Sequence, residues 1–227
     1  MSMLRTDYKS LILFTLLPFF SSCFQIIEEI NLSKAGSGNV NLTLNLSASK
    51  SKVASIMLMD SIQGYKVPDK ASINREMNEI VSYLSKSPGI SNVSKKIDME
   101  NYIISVSFDF QRIANINNLT KNVLNKLKIN TVSASSYAFD PRTLSFQRSY
   151  QHSKEAVVQY SKLKPEVKNI FKEASYTSIY RFDAKVASSN NPLARVSKSR
   201  KAVMINVGML GLINGKTDVS NKIILSN

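Results

Sequence analysis

Val40, Leu42, Leu44 and Leu46 alternate with Asn39, Asn41, Thr43, Asn45 and Ser47. A strict period of two predicts a strand with one buried and one wet face. Ile26, Ile30 and Leu32 predict a partner strand from Gln25, although Ile27 blurs its alternation, and the turn Ser33-Lys34-Ala35-Gly36-Ser37-Gly38 supplies the positive φ of a hairpin. A second strand is equally clear: Tyr102, Ile104, Val106, Phe108 and Phe110 share one face, opposite Ser105, Ser107 and Asp109, and Ile90 to Val93 pairs with it across the turn at Met99-Glu100-Asn101.

Helical spacing appears between these strands. Ile73, Met77, Ile80, Val81 and Leu84 fall on one face of a helix that Asp69 or Ser72 caps and that runs to about Ser87; the stripe is expected to lie on the sheet. Lys52 to Ile62 reads as a shorter helix whose run Ile56-Met57-Leu58-Met59 is too dense for an exposed surface, so it is expected in the core or as a Met-lined contact for a greasy ligand. Ile116, Leu119, Val123 and Leu127 predict a helix over Asn117 to Leu127, and Lys154 to Ala174 a helix in two pieces, broken at Pro165. Ser135 to Phe139 and Thr143 to Tyr150 form a hairpin around Asp140-Pro141-Arg142; Tyr176 to Val186, Ala194 to Val196, Lys201 to Leu210 and Lys222 to Leu225 read as strands. The expected fold class is α+β, an antiparallel sheet built from hairpins with amphipathic helices packed on one face. Residues 23–227 are expected to form a single domain, the rival being two lobes split near Lys128 to Ala134.

The first 23 residues follow another pattern. Arg5 and Lys9 precede the apolar block Leu11 to Phe20, then Ser21, Ser22 and Cys23, the one cysteine of the chain. A charged leader, a short apolar block and small residues are the layout of a secretory signal peptide, and the block falls short of the about 20 apolar residues that span a bilayer. Phe20-Ser21-Ser22-Cys23 resembles the end of a bacterial lipoprotein signal, with Phe20 where leucine is usual. That resemblance implies a diacylglycerol on the Cys23 sulfur, removal of residues 1–22, acylation of the new amino group and a place in the bacterial cell envelope. Since each buried methylene contributes about 0.8 kcal/mol, two or three acyl chains hold a protein firmly on a membrane that it does not span.

Charge bears on the partner. The formal net charge is +14, and loss of Arg5, Lys9 and Asp7 with the leader lowers it by one. Export argues against nucleic acid, so the expected partners are the membrane through Cys23, anionic envelope lipid or polymer, and an envelope protein. The bland alternative is a solvated, lysine-rich surface, since clusters such as Lys50/Lys52 and Lys95/Lys96 are small.

Candidate chemistry is sparse. With one histidine, His152, and Cys23 taken by lipid, a zinc site of the usual nitrogen and sulfur type lacks ligands. There is no G-x-S-x-G elbow and no glycine-rich phosphate loop. Glu28 and Glu29 point to opposite faces of one strand, and Asp98, Glu100, Asp109 and Asp183 lie near turns or strand ends. No cofactor is expected, and the expected activity is binding rather than catalysis. Ile56, Met57, Leu58, Met59, Phe108 and Phe110 are the candidate lining for a lipid or other apolar ligand under the sheet. The alternatives are an accessory subunit that docks through an exposed sheet edge, and an envelope hydrolase using His152.

Overall fold

In the computed structural model, residues 24–62, 64–117, 119, 122–123 and 133–226 are described. The first hairpin forms where the alternation places it. β1 (Gln25–Leu32) pairs antiparallel with β2 (Gly38–Asn45), from Gln25 opposite Asn45 to Leu32 opposite Gly38. Gly36 takes the left-handed φ of +86° in the turn. Gly38 is needed for space, because a Cβ there would stand 1.8 Å from the Asn31 carbonyl oxygen.

The chain leaves β2 through α1 (Lys50–Met57) and the small hairpin of β3 (Ser61–Ile62) and β4 (Tyr65–Lys66). The helix therefore starts and ends earlier than Lys52 to Ile62. Next come α2 (Lys70–Ser85), β5 (Ile90–Asp98) and β6 (Ile103–Phe110). Asp69 caps α2 by accepting the Ser72 N–H at 2.7 Å, and Met77 and Leu84 of the predicted stripe are buried. Tyr102, read as strand, sits in the turn before β6 with φ +54°. Ile116 and Leu119 are buried, while Val123 is half-buried; the rest of the helix expected over 117–127 lies largely outside the described residues.

β7 (Ser133–Asp140) and β8 (Ser145–His152) form the hairpin around Pro141. α3 (Lys154–Lys162) and α4 (Pro165–Lys172) are the two predicted helical pieces, with Pro165 as the first residue of the second. Then follow β9 (Ser175–Phe182), β10 (Val186–Ser189), β11 (Arg195–Val196), β12 (Ala202–Gly208), α5 (Met209–Ile213) and β13 (Asn221–Leu225). The strand read over Tyr176 to Val186 is thus broken after Phe182, and Met209 onward turns from strand to helix.

A seven-stranded sheet in the order β11-β12-β9-β1-β2-β6-β5 faces a four-stranded sheet in the order β10-β13-β8-β7. The α+β class holds. One pairing departs from the all-antiparallel expectation: β1 and β9 run parallel, from Gln25 beside Ser175 to Leu32 beside Phe182, in an otherwise antiparallel sheet. The second half does not repeat the first as a separate unit; it adds β9, β11 and β12 to the first sheet and covers that sheet with a second. Between the sheets Phe146 of β8 packs against the tilted ring of Tyr180 (ring centroids 4.9 Å apart) and meets Phe182 edge-on (5.7 Å), both of β9. One apolar cluster joins Ile30, Leu32, Val40, Phe108 and Phe110 of the first half to Phe146, Val186, Ile223 and Leu225 of the second. A smaller one, of Tyr176, Ile205, Val207, Leu212 and Val219 with Ile26, fills the end where β1 begins.

Candidate functional site

At the seam between the two apolar clusters, the inward phase of several strands carries polar side chains. In β1 the phase reads Ile26, Glu28, Ile30, Leu32; in β8, Phe146, Arg148; in β9, Tyr176, Ser178, Tyr180, Phe182. The Glu28 carboxylate accepts three tyrosine hydroxyls: Tyr137 at 2.9 Å, Tyr176 at 3.1 Å and Tyr180 at 3.4 Å. Arg148, only 3% exposed, donates to the Tyr180 hydroxyl (2.9 Å) and to Ser135 Oγ (3.1 Å). Its guanidinium also lies 5.2 Å from the centroid of the Tyr176 ring and 5.9 Å from that of Tyr137.

Burial opposes the Arg148 charge, but the oxygens of Tyr137, Tyr176 and Tyr180 and the Glu28 carboxylate outweigh it and hold the pKa above its ordinary value. Burial, reinforced by the Glu28 charge, pushes the Tyr137 and Tyr176 hydroxyls well up; Tyr180 is raised by burial against the partial relief of Arg148. All three stay protonated and donate. The group links β1 and β9 of one sheet to β7 and β8 of the other; most of its donors and acceptors are turned on one another, while Arg148 Nε and Ser178 Oγ are buried without a hydrogen-bond partner. Such a layer fixes how the two sheets sit together.

The linkage has a defined sign. Tyrosines in the unfolded chain ionise around the ordinary value of 10.0, whereas the three buried ones hold their protons to higher pH. Their contribution is intact below about pH 10 and is lost as pH rises through the raised folded values, by up to about 1.4 kcal/mol per pH unit for each hydroxyl. Urea unfolding at a series of pH values above 9 is expected to show this loss, with Tyr176→Phe flattening the slope by about one proton's share. Equal slopes for the two proteins would show that Tyr176 does not titrate on unfolding.

The sequence-predicted residues are not gathered in one place. Phe108 and Phe110, at 4% and 3% exposure, belong to the inter-sheet core. Leu58 and Met59, at 89% and 53%, stand on the surface, and Ile56 and Met57 are half-buried. The six do not form the wall of one cavity under the sheet. The expectation of core packing for the run 56–59 is also corrected, because α1 departs from the end of β2 and buries none of its residues. Cys23 lies outside the described residues.

His152 is half-buried, and its Nε2–H donates to the Ile213 carbonyl at 2.9 Å, tying β8 to α5. Asp98 accepts the N–H groups of Glu100 and Asn101 in the turn before β6, and Asp109 accepts from Asn92 Nδ2 at 2.7 Å. Glu29, on the outer face, pairs with Arg181 at 3.2 Å, an exposed contact that contributes little. Among the described residues no cluster of three His, Cys, Asp or Glu side chains could hold a metal ion, and no helix is long and apolar enough to cross a membrane.

Two sheet edges are blunted against strand addition. β5 carries a register shift between Ser91 and Ser94 as well as Lys95 and Lys96. Along β7 the Asn117 side chain takes the place of a strand: its Oδ1 accepts the Tyr137 N–H at 2.8 Å while its Nδ2 donates to the Tyr137 carbonyl at 3.1 Å.

The end of the larger sheet where β1 begins is crowded with helices. Phe24 meets the Phe171 ring edge-on at 5.5 Å, and Phe171 meets Tyr160 at 5.7 Å, so α3 and α4 pack beside the start of β1. α5 follows Gly208, which pairs with Ser175, itself beside Gln25. α1 follows Asn45, the partner of Gln25 on the other side.

No family model matches the chain, and no curated protein matches it. Among solved structures the chain is similar to the folded domain of LppM from Mycobacterium tuberculosis, determined by NMR, at 11% identity over 89% of each chain and with a TM-score of 0.43.

Proposed function

We propose that this chain is a lipid-anchored protein of the bacterial envelope that acts by binding rather than by catalysis. The observation that carries the reading is the stretch Phe20-Ser21-Ser22-Cys23 set directly against the fold, with Phe24 already packed on Phe171 and β1 starting at Gln25. A thioether-linked diacylglycerol at Cys23 would tie the domain to a bilayer with almost no spacer. Binding is favoured over catalysis because the polar groups that converge in the core, Glu28, Arg148 and the three tyrosines, are hydrogen-bonded to one another, and His152 is engaged by a backbone carbonyl. The blunted edges at β5 and β7 favour contact through the helical end over docking by strand addition.

The test is fractionation of cells expressing wild type or Cys23→Ser, with metabolic labelling by palmitate. Wild type is expected in the membrane fraction with label. The variant is expected unlabelled, with the leader retained because the cleavage site is lost. Unchanged label and processing in the variant would end the lipoprotein reading.

A further inference from the structure

Among the described residues four of the six large exposed apolar side chains fall on two helical segments, and the other two, Leu193 and Val196, lie at β11. Leu58 and Met59 follow α1, and Val157 and Val158, at 38% and 43% exposure, lie on α3. Both helices stand toward the end of the larger sheet where β1 begins: α1 follows Asn45, the partner of Gln25, and α3 reaches Phe24 through Tyr160 and Phe171. α1 carries Lys50 and Lys52 and no acidic residue; α3 carries exposed Lys154 and Lys162 against one acid, Glu155. Apolar side chains with lysines around them match the boundary between headgroups and acyl chains of an anionic bilayer.

We propose that this helical end is a docking face for anionic phospholipid, with Leu58, Met59, Val157 and Val158 entering the interface and the lysines meeting the phosphates. The choice of occupant rests on the lipoprotein reading, because Cys23 is bonded to Phe24 at this end of the sheet and an acylated Cys23 would bring the bilayer there. A tether this short leaves the domain in contact with the headgroups, and the face gives it one orientation. β1 and β9 then rise from the membrane, and the turn at Ala35 stands about 25 Å away, the length of an eight-residue strand.

The test uses the full chain purified from membranes and reconstituted into vesicles of phosphatidylglycerol and phosphatidylethanolamine, or of phosphatidylcholine alone. Leu58→Cys, Val158→Cys and the control Ala35→Cys each carry an environment-sensitive fluorophore, and quenching by spin-labelled lipid is read together with the intact mass. At positions 58 and 158 quenching on the anionic vesicles is expected to be about threefold or more that at position 35, as for side chains buried ~5–10 Å below the surface. Lys50→Glu and Lys52→Glu are each expected to lower the ratio of docked to undocked domain about fivefold. Equally weak quenching at all three positions in an acylated protein overturns the docking face and leaves the anchor standing. A fluorophore response that follows protein density rather than lipid charge also overturns it, in favour of a second copy on the face. Strong quenching at 58 and 158 in a protein whose mass shows no acyl group supports the face and removes the anchor.

Discussion

Replacing Arg148 with alanine is expected to lower the unfolding free energy by about 3–5 kcal/mol, the range for breaking a buried charged network on one side. The guanidinium is 3% exposed, holds Tyr180 and Ser135, and lies beside the rings of Tyr137 and Tyr176. Its removal leaves the Glu28 carboxylate among three hydroxyls without a nearby cation, and opens space between β8 and β9. Arg148→Lys keeps a charge but not the fork that reaches two oxygens, so an intermediate loss is expected. Because Arg148 and Glu28 act through shared tyrosines, their effects should not add: Arg148→Met with Glu28→Leu is expected to cost about 0.5–3 kcal/mol less than the two single changes together. Urea denaturation of the four proteins measures this. Strict additivity would mean that the two groups are independent.

Phe146→Ala is expected to cost about 3–5 kcal/mol. Phe146 is fully buried and packs against Tyr137, Tyr180 and Phe182, which belong to both sheets. Neither sheet can close over the space alone, since the ring fills the gap between them. Phe146→Leu retains most of the volume and should lose less than half as much, in line with the smaller cost of near-isosteric apolar changes. The same denaturation series reads both variants, and a loss under about 1 kcal/mol for Phe146→Ala would show that the sheets are not held by this contact.

Much of the layout is legible in the sequence because it is local. The period of two over residues 39–47 yields β2, the cap at Asp69 yields the start of α2, and Pro165 separates α3 from α4. What was not legible depends on partners far apart in the chain. The parallel pairing of β1 with β9 follows from which end of the sheet α4 delivers the chain to, and no residue in either strand states it. The exposure of Leu58 and Met59 likewise depends on what lies beyond the end of β2, whereas four apolar residues in a row read locally as core.

The Glu28 cluster carries a signal in the strand pattern. A carboxylate in the inward phase between Ile26 and Ile30, and an arginine two residues after the inward Phe146, are polar groups that a strand cannot bury without partners. Tyrosines in the inward phase of β9 are the matching donors. The alternation identifies each of these residues as inward-facing; only the pairing of the sheets brings them together.

Anchoring through Cys23 is read from the intact mass of the wild-type protein extracted from membranes. The expected mass is that of residues 23–227 with a diacylglycerol on Cys23, raised by one further acyl chain where the amino group is modified. A mass that retains residues 1–22, or one that leaves Cys23 a free thiol, would contradict it.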